Sequence, residues 1–515
     1  MNEVPVLTLL IALPLLGALA VAFLPPALSK QVALGVSVAT LALVVALAVG
    51  FEVTGGMQYT EQVSWIDAFG VHYALGLDGL GLLMVLLTAL LVPLVVAAGW
   101  NDGDRNPRAF FAWTLALESL SLAVFAATDV FLFYVVFEAT LIPAYFLIGG
   151  FGRAGRSAAA LKFLLFQLGG GLVLLASVIG LYVVSAQNGE PSYLLTDLAQ
   201  LEMSTSAERW LFAGFFIAFA IKAPLWPVHT WLADTTEKAT PGTSVLLVCV
   251  LDKIGTFGML RFCLGIFPEA SQWATPVVIT LALISIVYGA LVAIGQDDVM
   301  RLIGLTSLSH FGFIVLGIWV FSSQGQSGAI LYMVNHGLGT AALFLTAGYL
   351  VKRSGTPLIS LMGGREKVTP VLAGLFLIAG LATLGLPGLS TFVSEFLVIL
   401  AAFDYHPAVG AVAVTGIVLA AIYVLWMYQR TMTGPTPPEL EAAVAADPEG
   451  QRDLSVRELA AVGPLLAALV FFGFYPQPLL DTSNGYVNGL MAQVGVSDDP
   501  PTVAPDHSTS EGEGD

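Results

Sequence analysis

Six acidic and basic side chains and two histidines fall inside strongly apolar stretches of this sequence. An ionisable group at the centre of a bilayer costs about 2.5 to 3.5 kcal/mol on insertion scales, so such groups are functional candidates by default. Carboxylates, amines and imidazoles all exchange protons, so the chemistry that they offer together is proton transfer. The eight residues are Glu118, Glu138, Lys222, Asp252, Lys253, His310, His336 and Glu395.

Lys222 stands at a predicted helix break, because Pro224 follows two residues later and removes a backbone donor. An amine at such a break meets polar backbone and water, and a nearby carboxylate can switch its charge. Glu138 is the partner that we expect for it. Two further candidates are Glu118, which could donate a proton to Glu138 or pack against its helix, and His229, which lies seven residues after Lys222 on roughly the same face.

The other buried groups follow further along the chain. Lys253 has Asp252 beside it, and helix neighbours point about 100° apart, so the two are free to face different partners. His310 and His336 lie on consecutive apolar runs and suggest a relay. Glu395 is predicted to be a terminal proton-carrying site. The alternative to a proton-transfer role is, for each of these residues, a buried ion pair or polar contact that only holds two helices together.

The composition indicates an integral membrane protein. Of the 515 residues, 57% are hydrophobic and only 11% are charged, with a mean hydropathy of +0.86. The net charge of −17 argues against a nucleic-acid partner, because little basic surface is left to neutralise phosphates. Cys249 and Cys263 are too far apart on one helix to pair, and no metal or nucleotide motif is visible, so we expect no cofactor on this chain.

Hydropathy predicts an all-α polytopic fold with about fourteen spans, each of roughly 20 apolar residues. The seventh run is interrupted around Pro224 and Pro227, and the twelfth around Pro387 and Gly388, so we expect both to be broken helices. The runs are 4–26, 31–51, 77–99, 109–127, 130–149, 160–185, 209–231, 241–265, 273–295, 301–321, 327–351, 369–403, 406–430 and 458–478.

The basic residues predict how the chain is oriented. When the loops are assigned to alternate sides, 15 of the 19 Lys and Arg residues fall on one side and only Arg209 and Arg261 on the other. The positive-inside rule makes the first side cytoplasmic and places both termini outside. We therefore expect a multi-pass protein of the cell (plasma or inner) membrane, with the lipid bilayer as its surroundings.

The spans divide into blocks. We expect three N-terminal spans (1–108), a five-helix repeat (109–265), a second repeat (273–430), a cytoplasmic loop (431–457), a last span (458–479) and an acidic exterior tail (480–515). The broken helix is the fourth member of each repeat, and five spans per block make the two repeats inverted. Such a pair predicts a transporter with its site near the bilayer midplane.

Four motifs resemble the antiporter-like membrane subunits of proton-pumping NADH-quinone oxidoreductase, respiratory complex I, and subunit M in particular. They are Phe137–Phe146, Lys222–Leu232, Ser307–Gly312 and Phe392–Phe396. The resemblance implies fourteen helices with two inverted repeats, and proton-transfer roles for Glu138, Lys222, Lys253, His310, His336 and Glu395. Glutamate at the last of these positions resembles subunit M, since sister subunits L and N more usually carry lysine. The loop 233–243 and Asp252 depart from the family pattern.

The resemblance also implies partners. NADH, FMN, iron-sulfur clusters and quinone are expected in neighbouring subunits, and L-, N- and K-type membrane subunits are expected to adjoin this chain. Two other hypotheses remain open: a subunit of a multi-subunit sodium/proton antiporter, and a scaffold whose buried charges only hold helices together.

Overall fold

Helices form most of the structure, a computed structural model that describes residues 5–53 and 56–498. The first half contains α1 (Val6–Phe23), α2 (Pro26–Val49), β1 (Gln58–Ile66), β2 (Val71–Leu77), α3 (Gly79–Ala98), α4 (Pro107–Ala126), α5 (Val130–Ala139), α6 (Leu141–Phe151), α7 (Arg156–Gln187), α8 (Leu195–Leu198), α9 (Thr205–Lys222) and α10 (Thr230–Lys238).

The eighth span, Pro241–Leu264, comprises α11 (Pro241–Val245), α12 (Asp252–Gly258) and two π-helical segments, Leu246–Leu251 and Met259–Leu264. After it come α13 (Pro268–Ile294), α14 (Val299–Trp319), α15 (Ser323–Ser354), α16 (Pro370–Thr383), α17 (Ser390–Tyr405), α18 (Pro407–Met432), α19 (Pro438–Ala446), α20 (Val456–Phe474) and α21 (Gln477–Val494).

The predicted helical membrane fold is confirmed. In the described part, twelve helices are long and apolar enough to cross a bilayer. The seventh and twelfth predicted runs correspond to α9 with α10 and to α16 with α17, and each is interrupted where the sequence places its prolines. The count of fourteen spans and the inverted repeats remain predictions.

Burial is concentrated in three helices. The most apolar windows of the eighth span, α14 and α15 are 100% buried, whereas those of α1 and α18 are only 33% buried. Helices with apolar exposed faces suit a lipid environment, and helices enclosed by others can carry polar groups that lipid would not tolerate. The ionisable residues Lys253, His310 and His336 all lie on the three enclosed helices.

The breaks have local causes. Proline cannot continue a helix, and α9 ends at Lys222, where Ala223 turns to extended backbone before Pro224. The indole Nε1 of Trp231 donates to the carbonyl of Ile221 at 3.1 Å, which satisfies an acceptor that the break exposes. In the second break, Gly385 and Gly388 have φ of +77° and +94°, a conformation that favours glycine.

Two elements were not predicted from the sequence. Strands β1 and β2 form an antiparallel hairpin, and the carboxylate of Glu61 on β1 accepts from the backbone N–H of Leu7 at 2.6 Å, at the start of α1. Helix α21 occupies residues that we expected to be tail. Its buried side chains include Tyr486 and Leu490, so 480–494 is packed structure, and the rest of the tail from 499 onward lies outside the described residues.

A buried ion pair joins three elements at one end of the helix bundle. Asp78 accepts from the backbone N–H of Gly81 at 2.9 Å and so caps α3, and it also accepts two hydrogen bonds from the guanidinium of Arg261 at the end of the eighth span. The Arg261 Cζ lies 5.1 Å from the ring centroid of Tyr486 on α21. The pair therefore ties α3, the eighth span and α21 together.

We expect Arg261→Ala to lower the free energy of unfolding by about 3 to 5 kcal/mol, because it leaves the Asp78 carboxylate buried without its counter-ion. Thermal unfolding of the detergent-solubilised protein measures the loss. Arg209→Ala is the matched control, since Arg209 is exposed and its guanidinium lies over the Trp273 ring. Equal midpoints for the two variants would contradict a structural role for the pair.

Candidate functional site

A line of buried polar side chains runs through the enclosed helices to α17. The Nζ of Lys253 is 2.6 Å from Nδ1 of His336, and the His336 ring centroid is 5.3 Å from that of His310. Nδ1 of His310 is 2.6 Å from the hydroxyl of Tyr332, which donates to Glu395 Oε1 at 2.5 Å. Four residues predicted from separate stretches of sequence are thus brought together, and Tyr332 links two of them.

With Glu395 ionised, the hydrogen bonds around His310 favour one tautomer of its ring. The Tyr332 hydroxyl donates to the carboxylate, so His310 Nδ1 donates to the Tyr332 oxygen. The Tyr423 hydroxyl lies 3.3 Å from Nε2, which in this tautomer accepts from it. Protons therefore point in one sense from Tyr423 through His310 and Tyr332 to Glu395, which is the arrangement of a relay.

Tyr332 and Tyr423 are site residues that the sequence reasoning missed. Tyrosine has an ordinary pKa far above neutrality and does not stand out as an ionisable group in an apolar helix. One signal was available for Tyr332: it precedes His336 by four residues, so the two side chains share a face of α15. Tyr423 lies on α18, and no local pattern connects it with His310.

The second helix break is built around Glu395. Asn335 Nδ2 donates to the carbonyl of Ser390 at 2.8 Å and lies 3.3 Å from the hydroxyl of Ser394, which ties the start of α17 to α15. A Cβ added at Gly385 would collide with the Glu395 carboxylate. The break therefore lets backbone lie directly against this acid, and a side chain at Gly385 would displace it.

Glu138, the partner that we expect for Lys222, lies near it without direct contact. Nζ of Lys222 lies 3.5 Å from the hydroxyl of Thr140 and 4.8 Å from the ring centroid of Phe137. Among the described residues, no carboxylate oxygen comes within 4.0 Å of this amine, and Glu138 Oε1 has no hydrogen-bond partner. The two charges still interact electrostatically. The aromatic ring and Thr140 take the place of direct contact because they lie on the same helical stretch as Glu138.

Glycine creates the space that Glu138 occupies. A Cβ at Gly171 on α7 would collide with the Glu138 carboxyl group, whereas a Cβ at Gly169 would meet nothing within 4 Å. Gly170 packs against Ile221 on α9. Of these three consecutive glycines, Gly170 therefore permits close helix packing and Gly171 makes room for an ionisable side chain.

Asp252 is the buried acid that interacts with both lysines. Its carboxylate is 1% exposed and interacts through space with both Lys222 and Lys253. A Cβ at Gly255 on α12 would collide with Ala223, so the broken end of α9 lies against the helix that carries Lys253. The π-helical segments on both sides of α12 mark this span as irregular, as is common at functional sites.

His229 and Glu118 lie away from the line. His229 follows the first break, and its ring centroid is 5.3 Å from that of Tyr288. Glu118 on α4 is 1% exposed, and neither of its oxygens has a hydrogen-bond partner in the protein. The structure brings neither residue into hydrogen-bond contact with Lys222 or Glu138. Within the described residues, no cluster of His, Cys, Asp and Glu has the geometry of a metal site.

This arrangement suits proton transfer rather than substrate binding. Its members are buried acids, amines and imidazoles at or near hydrogen-bond distance, on enclosed helices of a membrane protein. Within the described part, no protein hydrogen bond joins His336 to His310, because His336 Nε2 has no partner. The other neighbours along the line are hydrogen-bonded. Ring rotation or intervening water supplies that step in relays of this kind.

Comparison with known proteins places the fold in context. Residues 127–420 match the family model described as NADH:quinone oxidoreductase/Mrp antiporter, transmembrane. The chain is 48% identical to NADH-quinone oxidoreductase subunit M of Mycobacterium tuberculosis, over 98% of this chain and 97% of that one. It is 37% identical to subunit M of Rhodobacter capsulatus, over 88% of each.

Solved structures agree with these relatives. A chain of respiratory complex I from Thermus thermophilus with bound NADH superposes with a TM-score of 0.86 at 32% identity, over 95% of this chain and 100% of that one. A chain of the Mrp complex from a Dietzia species has a TM-score of 0.82 at 24% identity, over 95% and 99% of the two chains, which shows a shared fold. The resemblance seen in the four motifs is confirmed, and the chain belongs to the NADH:quinone oxidoreductase/Mrp antiporter family.

Proposed function

We propose that this chain is the M-type, proton-translocating membrane subunit of an NADH:quinone oxidoreductase complex. The observation that carries the proposal is the buried line from Lys253 through His336, His310 and Tyr332 to Glu395, extended by Asp252 toward Lys222 and Glu138. Near-full-length relatives named subunit M support the assignment. Such a chain translocates protons as part of an oxidoreductase without a redox centre of its own.

The energy for translocation comes from outside this chain. Quinone reduction in neighbouring subunits, which hold the NADH, FMN and iron-sulfur sites, drives it, and L-, N- and K-type membrane subunits adjoin this one. The membrane is the bacterial plasma membrane, with both termini on the exterior side, as the basic loops predict. The match to a chain of complex I supports this setting.

The separation of Glu138 from Lys222 supplies a mechanism for coupling. An approaching carboxylate favours the charged form of an amine, and a receding carboxylate favours release of its proton. Lys222 is held by the Thr140 hydroxyl and the Phe137 ring, so movement of Glu138 changes the charge state of Lys222 without breaking a tight ion pair. Asp252 then transmits the change to Lys253 on the next helix.

From Lys253, the proton moves along the line to Glu395. His336 accepts from the ammonium through Nδ1, and His310 passes a proton to Glu395 by way of the Tyr332 hydroxyl. Glu395 lies in α17, the half of the broken helix that leads toward the exterior side in the predicted topology. The second break then serves as the place where the proton leaves the line.

The alternative is a subunit of a sodium/proton antiporter, because the family name covers both kinds of protein. The two functions differ in their dependence on sodium. Proton translocation by this chain in its complex should proceed at the same rate with and without sodium, whereas an antiporter requires it.

The first test replaces the two groups of the coupling site. Glu138→Gln and Lys222→Met should each abolish NADH-driven proton translocation in membrane vesicles and lower quinone-linked turnover by about tenfold or more, because proton transfer depends on both. The amounts of assembled complex should match the parent. Glu269→Gln is the control, since Glu269 is exposed at the start of α13.

Two results would count against this assignment. Normal pumping in either variant would remove the proposed coupling site, and loss of assembled complex with pumping intact per complex would favour the scaffold hypothesis. Sodium dependence in the parent vesicles would favour the antiporter.

The second test uses the glycines of α7. Gly171→Ala places a methyl group where the Glu138 carboxyl group lies, so it should lower proton translocation at least severalfold while the helix stays intact. Gly169→Ala is a matched control, because its methyl group meets no atom within 4 Å. Equal proton translocation in the two variants would mean that the position of Glu138 does not matter.

The third test interrupts the relay at Tyr332. Tyr332→Phe keeps the ring and removes the hydroxyl that connects His310 with Glu395, so translocation should fall by about tenfold with little change in stability. Tyr405→Phe, at an exposed tyrosine of α17, serves as the control. If the Tyr332 variant pumps as fast as the control, protons reach Glu395 by another route.

A further inference from the structure

A cavity of about 360 Å³ opens on the side of the molecule that the basic loops predict to be cytoplasmic. It lies where the end of α3, the start of the eighth span and the end of α15 meet. Its polar lining consists mainly of Asp102, Arg153, Thr240, Tyr349, Lys352 and Arg457. None of the residues of the coupling site or of the relay lines this cavity.

Some of the charges around the cavity are already paired. Arg153 binds Asp298 at 3.0 Å, and Glu458 binds Arg353 at 2.8 Å. No ion pair within 4.0 Å and no side-chain hydrogen bond engages the Asp102 carboxylate among the described residues. Asp102 is therefore the acid of this cavity that remains available for exchange with water.

The position of Asp102 disfavours a fixed negative charge. A Cβ at Gly99, the C-cap of α3, would lie 3.4 Å from Asp102 Oδ2, so the carboxylate folds back against a helix C-terminus, where the helix dipole repels anions. Burial raises the pKa of Asp102 to about 6, with Asp104 adding to the rise and Lys352 and Arg457 opposing it. An acid of this kind exchanges its proton readily near neutral pH.

Two buried groups on the cavity wall lack partners in the protein. The Tyr349 hydroxyl, on a side chain only 6% exposed, has no hydrogen-bond partner, and neither does Nε of Arg457. Buried polar groups are almost always hydrogen-bonded to protein or to ordered water, so these two atoms indicate a wet cavity. Tyr349 lies one turn deeper along α15 than Lys352.

The cavity also leads toward the proposed relay. Its inner wall includes Pro241 and Gly242 of the eighth span and Gly348 of α15, where a Cβ would collide with Pro241. The same two helices carry Lys253 and His336. Pro241 and Lys253 are twelve residues apart on the eighth span, so roughly 18 Å of this helix runs from the cavity wall to the line.

We propose that this cavity is the entrance for protons to the relay and that Asp102 is its proton-collecting residue. The inference rests on the proposed function, because it concerns where the translocated protons come from. In each cycle the Asp102 carboxylate takes one proton from cytoplasmic water and returns it to water inside the cavity beside the Tyr349 hydroxyl, which regenerates the carboxylate. Lys352 and Arg457 also line the cavity, and their positive charges attract the Asp102 carboxylate and hold it there.

The test uses the assembled complex in inside-out membrane vesicles. Asp102→Asn should lower NADH-driven proton translocation at least threefold, and the deficit should grow from pH 6 to pH 8 as free protons become scarce. Asp104→Asn is the matched control, because Asp104 belongs to the same turn, is exposed and pairs with Lys30. Equal translocation and equal pH profiles for the two variants would overturn the role of Asp102.

A second measurement tests the cavity without relying on activity. In a background of Cys249→Ala and Cys263→Ala, Ala98→Cys should react with a charged, water-soluble thiol reagent added to inside-out vesicles, as measured by mass spectrometry of this chain. Ala89→Cys on the same helix is the control, since Ala89 is fully buried and away from the cavity lining. No modification at position 98, or equal modification at both positions, would overturn the proposal of a water-filled entrance.

The two proposals fail in different ways. If Glu138→Gln abolishes pumping while Asp102→Asn leaves it unchanged, the entrance is wrong and the proposed function stands. If Glu138→Gln pumps normally, the proposed function fails whatever Asp102 does.

Discussion

The cost of placing charge inside a membrane governs the rest of this structure. An amine or carboxylate in hydrocarbon is stable only where protein groups replace the water that it has lost. The chain meets this requirement by surrounding the eighth span, α14 and α15 with other helices, so that Lys253, His310 and His336 contact protein on every side. The outer helices carry the apolar surface that faces lipid, and the inner ones carry the chemistry.

Helix breaks are the second consequence of the same constraint. A regular helix satisfies its own backbone groups and has little to offer a buried charge, whereas a broken one presents free carbonyls, N–H groups and room. At the first break, Lys222 lies at the end of α9. At the second, the glycine-containing turn at Gly385 lies directly against the carboxylate of Glu395. Each break thus provides a site for an ionisable residue that a continuous helix would exclude.

Much of the candidate site could be predicted from the sequence because charged residues are conspicuous in apolar runs. Lys253, His310, His336 and Glu395 were identified in this way, and the structure brings them into one line. The reasoning failed where chemistry is not conspicuous: Tyr332 carries the hydroxyl between His310 and Glu395, yet tyrosine is common in membrane helices. The distance between Glu138 and Lys222 could not be predicted either, because packing sets how far apart two helices lie, here through Phe137, Thr140 and Gly171.

By itself, the sequence determined the membrane class, most helix limits, the two breaks and the family, because hydropathy, proline and motif spacing are local properties of the chain. The tertiary structure decided which buried groups touch. Lys253 and His336 are 83 residues apart in sequence and 2.6 Å apart in space, and Tyr332 reaches Glu395 across 63 residues. It also decided that 480–494 is a packed helix. The apolar residues of this segment form one face of α21, and that face is stable only because other helices cover it. Contacts between distant segments depend on how whole helices pack, and no local pattern records that.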